Sequence, residues 1–561
     1  MLGIAVVAVF STFVVGAAPR VGERVAVVAD CELIVDGQAV DEVSTGMILK
    51  VTKVEAERVW IIGEYRAGWV ARSRVAALEQ AVEEFAKRLR VSPDDVEAYY
   101  GRAAVYNALE QYASGLDDIN MAIKLDPNAA ECYLMRAAIR ARNGEFDKAM
   151  ADFSEILRLD PESSRAYHNR GVLRCEAGQT DLAIRDFNEA VRLGRRTAAV
   201  LNSRAIAYLA MGDADRAISD LDEAIRLDPA LAIAFFNRAT AYRRKGDLQP
   251  AIADFDRAIA IDPADADFYS WRGLAWQESG KLDKAIDDYN KSLELEGGRA
   301  VVHYRRALAW RSLKECDRAM ADFDRAIAID PTAEEFYSWR GLALQEAGKV
   351  DRAIGDYSKS LELKGDNTIV LYNRALAWHS LKQYDRAIDD LTDLLKIDLS
   401  DAQIFHYRGT LWFVKSNFEK AAADFSSAIR IDPKCAKAYG NRGYVFYKQN
   451  DFRRAAADYQ QALQLNSSSV SVLNQYAWLL ATASDASLRD GNTAVRYATK
   501  ACELMKWESA NVIDTLAAAY AETNDFQSAI DYERKAIKLK PDSESFKAHI
   551  DCFQMQKALR E

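Results

Sequence analysis

From about residue 93 to residue 467 the apolar positions of this chain recur every 34 residues. Number each repeat so that a recurrent proline stands at position 32. One apolar stripe then occupies positions 4, 8 and 11, and a second occupies positions 20, 24 and 27, both at helical spacing. Pro93, Pro127, Pro161, Pro229, Pro263, Pro331 and Pro433 fill the proline slot, and Arg195, Gly297, Gly365, Leu399 and Ser467 hold it elsewhere. Position 8 is Ala or Gly throughout, from Ala103 to Gly443, and position 20 is Gly115 once and then Ala from Ala149 to Ala455. Small residues at these places let two helices approach closely. A Gly-bearing turn near position 15 separates the stripes, and the proline ends the second one. Each repeat therefore predicts an antiparallel helix pair, and a fixed period of this size predicts a stacked array. The segment Ala266–Gly297 returns almost unchanged at Glu334–Gly365, two periods later.

The flanking segments break this pattern. Residues 1–18 are apolar and end in small residues, which reads as a signal peptide cut after Ala17 or as an N-terminal anchor. A buried strand and a misassigned start are the other readings. Residues 19–77 switch to period two and predict five short strands, at Val25–Val28, Cys31–Val35, Val43, Met47–Val51 and Val59–Ile62. Turns are expected at Asp36-Gly37, Thr45-Gly46 and Glu55–Glu57. Closure into a small β-barrel would remove the open edges. Residues 78–92 fit the second half of a repeat, with Ala81 and Phe85 at positions 20 and 24, and predict a capping helix. Eleven regular units fill 93–467. Two divergent units fill 468–541, with an insertion near 483–490, and a C-terminal capping helix over 542–561, from Ser543 to Leu559, covers the last apolar face.

The small residues at positions 8, 20 and 27 and the proline at 32 resemble the tetratricopeptide repeat (TPR), over roughly Leu78 to Leu559. The resemblance implies a mainly α fold, an α-solenoid of about 13 helix pairs, whose first helices line a concave groove through positions 2, 5, 9, 12 and 13. The closing Gly68-Trp69-Val70 resembles the end of bacterial SH3-like domains, which implies a small N-terminal β-barrel that binds cell-wall peptides or acts as a spacer. Trp60, Tyr65 and Trp69 form either a ligand shelf or the aromatic core of that barrel.

Half of the residues are hydrophobic and 28% are charged, which suits a soluble helical array. The net charge of −10 argues against nucleic acid as a partner, because phosphate binding needs a basic footprint. Seven scattered cysteines with no C-x-x-C spacing predict neither zinc nor a disulfide framework. No phosphate loop, dinucleotide fingerprint, H-E-x-x-H or nucleophile elbow occurs. No catalytic residue, cofactor or metal ligand is therefore expected. His379 and His406 are the only histidines expected to approach each other.

Two sets of residues stand out. Position 7, where the TPR family has leucine, is arginine in all eleven regular units, and position 23 is aspartate in the same eleven; Arg170 with Asp186, Arg272 with Asp288 and Arg340 with Asp356 are examples. The two positions lie level in an antiparallel pair, which predicts a structural ladder of Arg–Asp bridges, within a unit or between neighbours. A basic ladder for an anionic polymer is the functional alternative. The second set lies at positions 5 and 6 of the first helices: Tyr100, Phe236, Trp271, Tyr304, Trp339, Tyr372, His406 and Tyr407. Aromatic groups on rigid helices make good peptide anchors. No regular unit has Lys at position 5 or Asn at position 9, so the dicarboxylate clamp of some relatives is not expected.

These readings together predict a non-catalytic scaffold or adaptor that binds proteins or peptides along its groove. It would be exported, periplasmic or membrane-anchored, its only membrane contact being an uncleaved N-terminal anchor. An intracellular assembly or chaperone-adaptor protein is the first alternative, and an enzyme concealed by the repeats is the second.

Overall fold

The computed structural model describes residues 24–35, 38–55, 57–62, 67–71 and 74–561. The N-terminal segment 1–18 and Tyr65 lie outside them. The contacts divide the chain into two compact parts, one ending at Gly297 and the other beginning at Gly298.

The first part opens with a seven-stranded antiparallel sheet: β1 (Arg24–Val27), β2 (Cys31–Val35), β3 (Gln38–Val43), β4 (Ile48–Val54), β5 (Arg58–Ile62), β6 (Ala67–Ala71) and β7 (Val75–Ala76). The order across it is β3-β2-β6-β5-β4-β1-β7. Sequence periodicity showed five strands. The two it missed are β6, whose Ala-Gly-Trp-Val-Ala run shows no clear alternation, and β7, which is only two residues long. Val25, Val27, Val51, Val59 and Val70 are fully or almost fully buried, and Leu33 and Ile61 join them. The Thr45-Gly46 turn is pinned by Asp30, whose Oδ1 accepts from the Thr45 amide (2.6 Å) and hydroxyl (2.9 Å).

The sheet is fastened directly to the helices. Arg24 Nη2 donates to the Ala108 carbonyl and Arg88 Nη1 to the Val28 carbonyl, both at 3.4 Å. Gly46, with φ +81°, lies so close to the helix Val96–Ala108 that an added Cβ would stand 3.0 Å from the Gly101 Cα.

Helices of 13 or 14 residues follow in pairs, such as Ala266–Glu278 with Leu282–Leu295 in the first part and Glu334–Glu346 with Val350–Leu363 in the second. Their local chemistry repeats. After the first helix the chain turns through a left-handed residue at position 15, and the next amide bonds back to the carbonyl of position 11, as Lys281 does to Trp276 at 2.9 Å. Gly144, Gly246 and Gly280 supply the positive φ, but Glu110, Lys314, Lys382, Ser416 and Asn450 adopt it too. The expected glycine is therefore dispensable at this turn, and each exception costs about 1 kcal/mol. After the second helix, the aspartate before the proline slot accepts the amide two residues on, as Asp262 does from Ala264 at 3.1 Å.

Position 24 forms the core of each hairpin. Phe187, Phe255, Tyr289, Phe323, Tyr357 and Tyr459 are fully buried. The small residue at position 8 makes room for that ring: a Cβ at Gly341 would lie 2.8 Å from Tyr357 Cε1, and one at Gly273 the same distance from Tyr289 Cε1. The two tyrosines send their hydroxyls to Gln277 and Gln345, at 2.9 and 2.8 Å.

The C-terminal end is less regular. A 3-10 turn, Ala486–Leu488, lies between the helices Val470–Thr482 and Gly491–Leu504. The last helix is Glu544–Gln554, shorter than the Ser543–Leu559 read from the sequence. Gln556 turns left-handed at φ 54° and the remaining residues run back, with the Glu561 amide on the Thr482 carbonyl at 2.9 Å. Among the described residues no helix is long and apolar enough to cross a membrane.

Candidate functional site

The arginine at position 7 and the aspartate at position 23 meet in every regular hairpin. Their closest N···O distances run from 2.6 to 2.8 Å. Arg170 is representative: Nε donates to Asp186 Oδ2 at 2.9 Å and Nη2 to Oδ1 at 2.7 Å, a bidentate fork. Arg272 with Asp288 and Arg340 with Asp356 repeat it. The aspartate side chains are 2–11% exposed and the arginines 15–20%.

In at least eight of these arginines, Arg136 and Arg204 among them, the remaining guanidinium nitrogen reaches the preceding hairpin. Nη1 of Arg272 reaches Asp256 at 2.6 Å, that of Arg340 reaches Asp324 at 2.6 Å, and that of Arg442 reaches Ser426 at 2.9 Å. One arginine thus closes its own hairpin and ties it to its neighbour. The guanidinium groups are engaged by carboxylates, which removes the reading of a free basic ladder. Burial lifts the Asp288 and Asp390 carboxyls above their usual range despite the arginine beside each. Burial acts the same way on Asp322, but hydrogen bonds from Arg306 and from His303, at 3.1 Å, outweigh it and hold that group low. In the first divergent hairpin, Tyr476 and Tyr497 take the place of the pair and stack with centroids 5.6 Å apart.

The aromatic residues at positions 5 and 6 form a second recurring arrangement. Position 5 packs on position 24 of its own hairpin and on position 6 of the next. In the first part, Phe236 meets Phe255 at 5.7 Å and Trp271 edge-on at 6.1 Å. In the second part, Tyr304 meets Phe323 at 6.2 Å and clusters with Trp339. Tyr372 meets Tyr407 at 6.1 Å. Phe236, Trp271, Tyr304, Trp339, His406 and Tyr407 are half-buried, whereas Tyr372 is 36% exposed. Trp271 and Trp339 also lie under the guanidinium groups of Arg243 and Arg311, at 5.1 and 5.0 Å. Tyr100 has a different neighbour, since its ring lies against the Gly46 turn of the sheet. Burial pushes the hydroxyls of Tyr100, Tyr304 and Tyr407 up to about 12, so all three stay neutral donors at physiological pH.

His379 and His406 find other partners than each other. His379 Nδ1 bonds to the Tyr407 hydroxyl at 2.7 Å, and His406 Nε2 to Asn441 at 3.0 Å. In the sheet, the Arg58 guanidinium covers the half-buried Trp69 ring at 4.4 Å. The seven cysteines are unpaired and buried or half-buried.

The sequence reading named no metal ligands. The structure nonetheless gathers Asp514, Glu533 and His549, one from each of the last three helices, with ligand atoms within 4.8 Å of one another. The signal for this was present in the repeat frame. Glu533 occupies position 24, which is aromatic or aliphatic in every regular unit, from Ile119 to Tyr459. Beside the cluster is a cavity of about 260 Å³ lined by Tyr444, Tyr447, Asn474, Trp478, Asn511 and Asp514. The Glu561 side chain contacts both Tyr447 and Trp478.

Comparison with known proteins agrees with this architecture. One tetratricopeptide-repeat family model matches residues 134–199, 202–266, 251–300, 272–334 and 340–402, and two others match 436–469 and 510–543. Together they span more than half of the chain. No curated protein matches it. Among solved structures, MamA is 24% identical, covering 28% of this chain and 94% of its own, with a TM-score of 0.28. A tetratricopeptide repeat protein from Parabacteroides merdae is 21% identical over 45% of this chain and 100% of its own, with a TM-score of 0.34. YrrB, described as a TPR protein with an unusual peptide-binding site, is 20% identical over 33% of this chain and 95% of its own, with a TM-score of 0.29. The 34-residue helix pairs, their small residues at positions 8 and 20 and these family matches make the chain a member of the tetratricopeptide-repeat family.

Proposed function

We propose that this protein is a non-catalytic scaffold that binds partner proteins or peptides on the faces of its first helices. The TPR fold is typical of protein–protein interaction scaffolds. The observation that carries the reading is the Tyr372–Tyr407–His379 cluster. It places an exposed ring, a neutral phenol and an imidazole on adjacent first helices, joined by a hydrogen bond and held by Arg374–Asp390 and Arg408–Asp424 bridges beneath. A rigid platform of this kind loses little entropy when a peptide binds. Phe236 with Trp271, and Tyr304 with Trp339, are further anchors of the same type, and His406 adds a polar edge.

The N-terminal sheet, read as an SH3-like domain, is proposed to bring the scaffold to the cell envelope, with cell-wall peptides as its ligands. Residues 1–18 would direct export. Support comes from the apolar character of that segment and from the Gly68-Trp69-Val70 ending. N-terminal sequencing of the mature chain after cell fractionation tests location. A full-length cytoplasmic product would favour the intracellular adaptor instead.

Binding is tested by affinity capture with wild type, Tyr372→Ala and Tyr304→Ala, each first checked for an unchanged helical circular dichroism spectrum. Tyr372→Ala is the cleaner probe because its ring is exposed. Loss of a wild-type partner by at least about tenfold supports the site, since one anchor residue contributes about 1.4 kcal/mol or more. Unchanged recovery in both variants counts against it.

A further inference from the structure

The geometry points to a divalent transition-metal site of the zinc type, formed by Asp514, Glu533 and His549 at the C-terminal end of the repeats. The site replaces an aromatic node. Elsewhere position 5, position 24 and position 6 of the next hairpin bring three side chains together, as in Phe236, Phe255 and Trp271. In the last hairpin the same three places hold a carboxylate, a carboxylate and an imidazole. They come from the helices Ala510–Glu522, Phe526–Leu539 and Glu544–Gln554.

Glu533 carries the argument. It is fully buried, it occupies a slot that regular units fill with a core hydrophobic group, and neither of its carboxylate oxygens has a hydrogen-bond partner. Its neighbour Asp514 is also buried and also acidic. Two desolvated carboxylates facing each other need either a shared proton or a cation between them, and the third group favours the cation. The third group selects which kind. His549 Nδ1 lies 2.7 Å from Asp514 Oδ1, and its ring is held against Trp478 with centroids 5.8 Å apart. An imidazole with two carboxylates suits zinc and its transition-metal neighbours, whereas calcium and magnesium take oxygen ligands.

The spacing fits as well. Ligand atoms around a tetrahedral ion with bonds near 2.0–2.1 Å stand about 3.3 Å apart. The His549–Asp514 pair, now hydrogen-bonded at 2.7 Å, would open slightly to that separation, and side-chain rotations would bring the remaining atoms in from within 4.8 Å. Asp514 also borders the cavity of about 260 Å³, so water can reach a fourth coordination position. An ion there would clamp the last helix to the hairpin before it.

The test uses the full chain, stripped with a chelator and titrated with zinc by calorimetry and with cobalt by visible absorption. Wild type is expected to bind one zinc per chain and to show the intense bands of low-symmetry cobalt. Glu533→Gln keeps the side-chain shape and removes the charge, and His549→Ala removes the nitrogen. Each is expected to weaken zinc at least about tenfold, since even outer-shell changes cost that much. No saturable binding by wild type overturns the proposal. Equal binding by wild type and both variants overturns it too, by moving the metal to the thiols or other histidines. Absent zinc binding combined with a more stable Glu533→Gln protein means the two carboxyls share a proton, which also rules the site out.

Discussion

Replacing Arg272 by leucine, the residue the TPR family has at position 7, leaves Asp288 buried without its bidentate partner. The Asp288 side chain is 8% exposed, and burial already lifts its carboxyl above the usual range with Arg272 in place. Stranding such a charge costs about 3–5 kcal/mol. A second route bounds the figure, because the orphaned carboxyl can instead take up a proton. Doing so at pH 7, from an unfolded pKa of about 3.9, costs about 4 kcal/mol, and at pH 5 only about 1.5 kcal/mol. The unfolded chain gives up its proton near 3.9 while the folded variant holds it to higher pH. Stability of the variant therefore falls, relative to wild type, as pH rises from 4 to 7. Because Arg272 also holds Asp256, the loss should extend into the preceding hairpin. Hydrogen-exchange mass spectrometry, corrected for intrinsic rates, reads it in peptides covering residues 248–295. Arg272→Leu with Asp288→Leu removes both charges and should recover most of the loss. A deficit under about 1 kcal/mol at pH 7, an equal deficit at pH 5, or a double variant as weak as the single one would mean that Asp288 is not stranded by the loss of Arg272.

Two further outcomes follow from single contacts. Gly341→Ala pushes a methyl to 2.8 Å from Tyr357 and should destabilise that hairpin by about 1–3 kcal/mol, read by denaturant titration, whereas pairing it with Tyr357→Phe should change little, since Ala307 and Phe323 coexist. His168 is held down to about 4 by burial and then by Arg195, so it folds neutral while the unfolded chain protonates near 6.5. Its contribution is whole above 6.5 and is lost as pH falls through 4, up to about 3 kcal/mol. His168→Gln should flatten the pH dependence of thermal unfolding over that window, and an unaltered acid limb would show that His168 is not its source.

The helical repeat was legible because its determinants are local and recur: a small residue at 8 and 20, a ring or aliphatic group at 24, a proline slot at 32. The pairing of positions 7 and 23 was legible for the same reason, as both change together in the divergent hairpins. The reach of the arginine to position 25 of the preceding hairpin was not read, although that place is polar in Asp256, Asp324 and Ser426. Where neighbours are not repeats, periodicity says nothing. Tyr100 occupies a groove position by count, but the Gly46 turn of the sheet lies on it, a contact between elements with no shared frame. His379 and His406 share a face by count, yet the nearer hydroxyl of Tyr407 and amide of Asn441 take their nitrogens. The Asp514–Glu533–His549 cluster forms no dense motif, because its members come from three separate helices and its one sequence signal is an acidic residue in a core slot.

Partners are expected to dock on first helices and leave the second helices alone. Hydrogen exchange of the protein with and without a captured partner separates the two helix sets. New protection is expected in Ala300–Ser312, Glu334–Glu346, Thr368–Ser380 and Ala402–Val414, with Cys316–Ile329, Val350–Leu363 and Tyr384–Ile397 unchanged. Protection confined to that second set would contradict docking on the first.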